Sequence, residues 1–335
     1  MTAAATIAVL GPGSWGTALA LLLVRNGHTV RLWGHDPDEI APLRQNRENR
    51  RYLPGIPFPT SLIVGTDLAE ALAGVELVVV VVPSHAYGET LARLRPYLPA
   101  GAGFAWATKG LEHGSGRFLH EVTAEGLGEV WPAAVISGPS FAREVACGLP
   151  TAVTVAAQDA HHARRVAVFL HGSNLRAYTS LDVIGVELGG AVKNVLAIAA
   201  GIADGLGFGA NARAALITRG LAEMVRLGLA VGGQRETFMG LAGVGDLVLT
   251  CTDDQSRNRR FGLAIGRGEA ANTAFATIGQ VVEGAATARE VLRLAQQHRV
   301  EMPITEQVDL VLHHGQDPRR AVEMLLARDL KAEMT

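Results

Sequence analysis

The stretch from Thr6 to Val24 restricts what this chain can become more than any other. Thr6–Leu10 (TIAVL) is a short, largely apolar run, it stops at Gly11-Pro-Gly-Ser-Trp-Gly16, and Thr17–Val24 reads as a helix. Strand, G-x-G-x-x-G, helix is the arrangement that binds dinucleotides. Gly11 would make the tight turn, Gly13 would let the backbone approach a pyrophosphate, and Gly16 would let helix and strand pack closely. The helix N-terminus, with Ser14 and Trp15 on its first turn, would offer free N–H groups and a positive dipole end to the phosphates. Pro12 has no N–H, so one phosphate donor is missing, and the fold reading survives that. The expected fold class for this half is therefore α/β, of Rossmann type.

The chain continues as the pattern requires. His28–Trp33 (HTVRLW) is the second strand of a βαβ unit. At the tip of this strand an acid holds the ribose 2′-hydroxyl of NAD, whereas a cation suits the 2′-phosphate of NADP. The tip reads Gly34-His35-Asp36; His35 suits the phosphate and Asp36 the hydroxyl, so both cofactors are expected to be accepted. Arg44–Arg51 (RQNRENRR) reads as a solvated helix face, and Asp67–Ala73 as a helix. Leu77–Val82 (LVVVVV) is continuously apolar, as at the buried centre of a parallel sheet. It ends at Pro83-Ser84-His85, on the edge where such sheets bind ligands. His85 is either a catalytic base or a loop histidine lining the cofactor cleft. Phe104–Thr108 delivers Lys109-Gly110 to the same edge, and Ala133–Ser137 delivers Gly138-Pro-Ser140-Phe141. A lysine, a serine and several free amides so gathered suit an anionic substrate beside a nicotinamide. Thr151–Ala156 and Arg176–Thr179 read as strands that close the sheet, and the alternation stops near Ser180.

At 335 residues the chain exceeds one ordinary core, and two domains are expected, 1–180 and 181–335. The second reads as all-helical, with periodic segments near 186–203, 212–230, 259–267, 281–297 and 303–313. In the first of these, Lys193 interrupts an apolar run, with Gly189 one turn before it and Ala197 one turn after. Residues at i and i+4 share a helix face, so this lysine leaves a face of nearly bare backbone where another segment or a ligand can approach. It is either a proton donor to a ligand or a lysine that reaches out to solvent. Later, Gly243-Val-Gly-Asp246-Leu-Val-Leu-Thr250-Cys251 precedes Ser256-Arg257-Asn258. Ser256 can cap the following helix or bind a phosphate, and Arg257 can supply a bidentate fork to one.

Net charge is −2, which gives no electrostatic footprint for nucleic acid or an anionic membrane. Two cysteines, Cys147 and Cys251, make no disulfide framework and fit a reducing cytosol. The N-terminus lacks a basic region and reaches a glycine turn too soon for a signal peptide. The apolar run Val75–Pro83 contains Glu76 and is too short to span a bilayer. A cytoplasmic protein without membrane insertion is expected. The eleven histidines show no ligand spacing, so no metal is expected.

Several longer runs then converge on one family. They are GPGSWGTALA at 11–20, VVPSH at 81–85, WATKGLE at 106–112, ISGPSFAREV at 136–145, GGAVKNVLAIAAGI at 189–202, GANARAALITRGLAEM at 209–224, GDLVLTCTDDQSRNRRFG at 245–262 and GQVVEG at 279–284. In this order, and spanning nearly the whole chain, they resemble the bacterial-type NAD(P)-dependent sn-glycerol-3-phosphate dehydrogenases. The resemblance implies a Rossmann-type domain followed by an all-α domain like that of 6-phosphogluconate dehydrogenase. It also implies reversible conversion of sn-glycerol 3-phosphate to dihydroxyacetone phosphate, supplying phospholipid synthesis, and a homodimer. By the same resemblance Ser14, Trp15, His35, Lys109, Ala142, Arg257, Val281 and Glu283 contact the dinucleotide. Lys109, Gly138, Ser140, Lys193, Asp246, Ser256, Arg257 and Asn258 contact the substrate, and Lys193 falls on the catalytic lysine. Two departures stand out: Pro12 where alanine is common, and His35 where many members carry arginine, which leaves the cofactor preference open.

The chemistry agrees with that implication. Hydride arriving at a ketone builds negative charge on its oxygen, and an ammonium at Lys193 with a pKa lowered by burial can protonate it. Asp246 would orient that ammonium or hold a substrate hydroxyl, with Thr250 and Asn194 as supporting partners. Two other readings share some features: a β-hydroxyacid dehydrogenase of the same architecture, and a non-catalytic dinucleotide sensor. The SRN cluster beside GDLVLTC speaks against the first, and the set Lys109, Lys193 and Asp246 against the second.

Overall fold

The computed structural model describes residues 4–128 and 131–328; the last residues of the expected 181–335 segment, 329–335, lie outside them. Eight strands form one sheet: β1 (Thr6–Leu10), β2 (Thr29–Trp33), β3 (Ile63–Gly65), β4 (Leu77–Val80), β5 (Gly103–Trp106), β6 (Ala133–Ser137), β7 (Thr151–Ala156) and β8 (Leu175–Ser180). Their order across the sheet is β3-β2-β1-β4-β5-β6-β7-β8. Every pairing is parallel except β6 with β7. The chain leaves β1 toward β2 on one side and returns to β4 on the other, and a ligand crevice opens where the direction of winding reverses. β4 is buried along its whole length and β1 at four of its five positions. That follows from helices covering both faces of a parallel sheet, and it explains why these strands lack polar alternation.

The glycine turn is shaped by what each glycine lacks. Gly11 has φ +114°, in the region that favours glycine. A Cβ at Gly16 would lie 1.9 Å from the Gly11 carbonyl oxygen, so the first helix, Ser14–Arg25, can seat against β1 only with glycine there. A Cβ at Gly13 would meet nothing within 4 Å; that position faces open space.

The second half is helical and built around one element, Val183–Gly205. Asp182 caps it by accepting from Gly185 N at 2.8 Å. Its apolar length is the only one among the described residues long enough to cross a membrane, but 94% of that window is buried within the fold. It is the core of the helical half. The bare face at 189–193–197 is covered, as small residues permit, by backbone: a Cβ at Gly189 would stand 2.3 Å from Ala242 O. The same device recurs further along, where Cβ atoms at Gly201 and Gly262 would stand 2.1 Å from Arg259 O and Ile198 O. The Arg257–Gly266 helix therefore crosses the long helix with the two backbones in contact.

Some expectations change. β3 was not anticipated, because three residues flanked by polar chain give no periodic signal. The Arg44–Arg51 cluster is not one helix face: the helix Pro37–Asn46 ends at Arg47, whose φ is +51°, and the remaining basic residues lie beyond it. Asp246–Thr252 forms a helix of its own, entered through a wide π turn at Leu241–Gly245.

Candidate active site

A cleft of about 1300 Å³ opens at the carboxyl edge of the sheet, between it and the helical half. Gly11, Gly13, Ser14 and Trp15 line one part of it, with His35 and Ala142. Lys109, Ser140, Lys193, Arg257, Asn258, Val281 and Glu283 line the rest. Gly16, Gly138, Asp246 and Ser256 stand behind that wall. The residues present fit a dinucleotide. The first N–H groups of the Ser14–Arg25 helix have no partner within the helix, and no side chain caps it. The indole Nε1 of Trp15 is buried without a partner, although it belongs to a residue of the cleft wall. An orphaned donor beside open helix amides is a polar surface awaiting acceptors.

At the centre, three charged side chains meet. Lys193, on the long helix, donates from Nζ to Asp246 Oδ1 at 2.7 Å and to Thr250 Oγ1 at 2.8 Å. Asp246 Oδ2 accepts from Lys109 Nζ at 2.6 Å, and the same ammonium donates to Gly138 O at 3.1 Å. Thr250 lies one turn after Asp246 and donates back to its carbonyl at 2.6 Å, leaving its oxygen free to accept from Lys193. One carboxylate thus sits between two ammonium groups, one from each half of the chain. Burial is the strongest influence on Lys193 and lowers its pKa; Asp246 opposes that, Lys109 adds to it, and the value settles at about 8. Burial also pushes Asp246 upward, but the two lysines outweigh it and hold the carboxyl below its ordinary value. The outcome is an anchored amine that changes protonation near neutrality, in surroundings that favour an anion.

Around this centre the phosphate candidates divide. Ser256 caps the Arg257–Gly266 helix, accepting from Arg259 N at 3.2 Å, so capping is the role its hydroxyl performs here. Asn258 donates to Asn194 Oδ1 at 3.0 Å and accepts from Gly284 N at 2.9 Å, joining three segments while still reaching the cleft wall. Arg257 donates to Gln280 Oε1 at a long 3.4 Å, and burial lowers its pKa from the usual guanidinium range. Glu283 accepts from Ser84 Oγ at 3.1 Å, and burial raises its pKa. Ser140 donates from Oγ to Gly138 O at 2.9 Å.

Two expectations at the edge are corrected. Asp36 does not face the cleft; its carboxylate accepts from Asp38 N at 2.9 Å and caps the Pro37–Asn46 helix. His85 lines a small adjoining cavity with Ser84 and Glu283 rather than the main cleft. In place of Asp36 the wall carries Glu39, Arg51 and Tyr52, which the sequence reading missed. The signal was there in Asp36-Pro37-Asp38-Glu39, since an N-cap aspartate followed by proline at the first helical position spends its own carboxylate on the cap.

Family models described as the N-terminus and the C-terminus of NAD-dependent glycerol-3-phosphate dehydrogenase match residues 6–163 and 182–323. A glycerol-3-phosphate dehydrogenase (NAD(P)+) of Pseudoalteromonas translucida is 56% identical over 333 residues, 99% of each chain. One of the same name from Thioalkalivibrio sulfidiphilus is 60% identical over 327 residues, 98% of each. A crystal structure of glycerol-3-phosphate dehydrogenase from Coxiella burnetii superposes with a TM-score of 0.94 at 53% identity, covering 97% of this chain and 99% of that one. This chain belongs to the NAD-dependent glycerol-3-phosphate dehydrogenase family.

Proposed function

We propose that this chain oxidises sn-glycerol 3-phosphate to dihydroxyacetone phosphate, reversibly, with Lys193 as the acid–base group. The names of its relatives support the reaction and its use of NAD or NADP. The observation that carries the role of Lys193 is its buried ammonium, anchored by Asp246 and Thr250 on the wall of the cleft that the glycine turn enters, with a pKa of about 8.

Bound NAD(P) supplies the acceptor for the hydride that leaves C2, or the donor for the one that arrives. Neutral Lys193 takes the C2 hydroxyl proton in oxidation, and as an ammonium returns it to the ketone oxygen in reduction. Asp246 and Thr250 hold that nitrogen in one place, so its lone pair or its proton points at one atom only. Lys109 adds positive charge where the oxygen becomes negative. Arg257 and Asn258 grip the phosphate, with Ser140 and Gly138 on the opposite strand edge and Ser256 holding the turn that presents the pair. Binding energy from that remote phosphate aligns the carbinol. Gly11, Gly13, Ser14, Trp15, Gly16, His35, Ala142, Val281 and Glu283 form the dinucleotide part, with Lys109 and Arg257 shared between both.

The division into a dinucleotide domain, 1–180, and a substrate domain, 181–335, is supported by the last strand ending at Ser180 and the long helix starting at Val183. We take the protein to act in the cytoplasm, to supply glycerol phosphate for phospholipids, and to form a homodimer whose mass sedimentation would read. The direct test is loss of reduced-nicotinamide absorbance on adding dihydroxyacetone phosphate, with Lys193→Ala in parallel. Wild type should oxidise the nucleotide, and the variant should be slower by about 100-fold or more. A variant that keeps over roughly a tenth of the turnover would remove Lys193 from this role.

A further inference from the structure

We infer that the ion pair Glu39–Arg51 selects between the two dinucleotides, Glu39 holding the ribose 2′-hydroxyl of NAD and Arg51 the 2′-phosphate of NADP. The inference rests on the dinucleotide reading above. Both side chains belong to residues of the cleft wall, at the end formed by Trp33 and His35 just beyond β2, and that end of a Rossmann sheet receives the adenosine ribose. The acid expected there by position, Asp36, caps the Pro37–Asn46 helix through Oδ1 and does not line the cleft. Glu39, in the first turn of the same helix, is the acid the wall does present.

The pair is arranged so that it can open. Arg51 Nη1 lies 2.5 Å from Glu39 Oε1, and Tyr52 OH donates to that same oxygen at 3.3 Å. The guanidinium also lies over the Tyr52 ring, 5.0 Å from its centroid. With side-chain exposures of 61% for Arg51 and 29% for Glu39, the pair is of the solvated kind that contributes little. A phosphate dianion offers Arg51 a stronger, two-pronged partner, so exchanging Glu39 for it is favourable. The wall also carries His35, and Arg93, whose guanidinium lies over Trp33 at 5.5 Å. Arg50 is committed elsewhere, to Glu48 at 3.3 Å. When Arg51 turns to a phosphate, Glu39 keeps its Tyr52 hydroxyl but remains a like charge beside the ligand. That residual repulsion penalises NADP, whereas NAD meets an acceptor for its hydroxyl. Dual use of the two cofactors follows from one pair with two partners.

The test is calorimetric titration of full-length protein with NADPH and NADH, in wild type, Arg51→Ala and Glu39→Gln. Arg51→Ala should weaken NADPH roughly 10- to 100-fold and leave NADH within about 3-fold, since a hydrogen bond to a charged group is what it loses. Glu39→Gln should tighten NADPH severalfold and weaken NADH. Arg51→Lys should fall between wild type and alanine for NADPH alone, because it keeps the charge without the fork. Equal losses for both nucleotides in Arg51→Ala, or no loss for either, would overturn the assignment to Arg51 and leave His35 or Arg93 as the partner of the 2′-phosphate. A wild type that binds neither nucleotide would overturn the dehydrogenase reading itself, and this assignment with it.

Discussion

Replacing Asp246 by asparagine removes one charge, keeps the shape, and has a consequence for Lys193 that can be worked out from distances. One carboxylate oxygen is 2.7 Å from Lys193 Nζ and the other 2.6 Å from Lys109 Nζ. At such a separation and an effective dielectric of about 20, Coulomb's law gives about 6 kcal/mol for a unit pair. The carboxylate shares its charge over two oxygens and two lysines, and the asparagine carbonyl still accepts one bond. Taking roughly half, ~3 kcal/mol, the loss corresponds to ~2 pH units. Burial and the repulsion of Lys109 then act on Lys193 with their main opponent gone, and an amine that titrates at about 8 should titrate near ~6. The sign is fixed by chemistry. In the proposed role oxidation needs the neutral amine, so the acidic limb of kcat/KM should move down from about 8 toward ~6 in the variant. Reduction needs the ammonium, so its basic limb should move down by the same distance. The height of both profiles should fall as well, since the nitrogen has lost its anchor. Nucleotide affinity measured by calorimetry separates this from a folding failure. A limb that stays at its wild-type position, or moves upward, would show that Asp246 does not set the charge of Lys193.

Two further predictions follow from other parts of the molecule. Arg257→Ala should lose efficiency on dihydroxyacetone phosphate at least 10-fold more than on dihydroxyacetone, with the nucleotide Kd measured alongside; equal losses would count against a phosphate contact. Glu223 is buried, accepts from Ile304 N at 2.7 Å at the start of the Pro303–His313 helix, and is raised to about 7 chiefly by burial. Its folded pKa exceeds its unfolded one, so the stability it lends is complete below about 4.5 and lost as pH rises through about 7. Glu223→Gln, which stays neutral and keeps an acceptor, should therefore melt higher than wild type above pH ~7.5 and show a flatter pH dependence; an identical dependence would exclude Glu223 as its source.

Much of this could be read in the sequence because it is local. The turn at Gly11–Gly16 is written within one strand and one helix, and the buried strands announce themselves by lacking alternation. Lys193 stands out because it interrupts a long apolar helix, although the helix alone leaves open whether it serves a ligand or reaches out to solvent. What the sequence could not supply is what depends on distant pairing. That Lys109 and Lys193 share Asp246 is a fact about three segments, 137 and 53 residues apart from the carboxylate, and no spacing rule encodes it. Ser256 illustrates a different limit: a residue type suited both to capping and to phosphate, whose oxygen accepts from Arg259 N in the fold while its O–H can still donate. The misplaced acid has the same origin. Of the acids, the sequence reading weighs Asp36 alone; the fold turns Asp36 to capping its own helix and leaves Glu39, which that reading does not consider, on the cleft wall. The short edge strand β3 and the antiparallel direction of β7, which lies between β6 and β8, escaped because both are fixed by pairing with neighbours more than by their own residues.

The crossing at Gly201 and Gly262 also decides what can move. Helices whose backbones touch have no side-chain layer between them to shear, so they cannot slide past one another without losing the contact. Arg257 and Asn258 ride on one of these helices and Lys193 on the other. The residues proposed to grip the phosphate and to transfer the proton are consequently mounted on a single stiff block. The other half of the chain meets the helical half, to which this block belongs, through hydrogen bonds that include Lys109 to Asp246 and Ser84 to Glu283. In the proposed reaction the phosphate and the base of one substrate molecule would therefore keep a fixed separation.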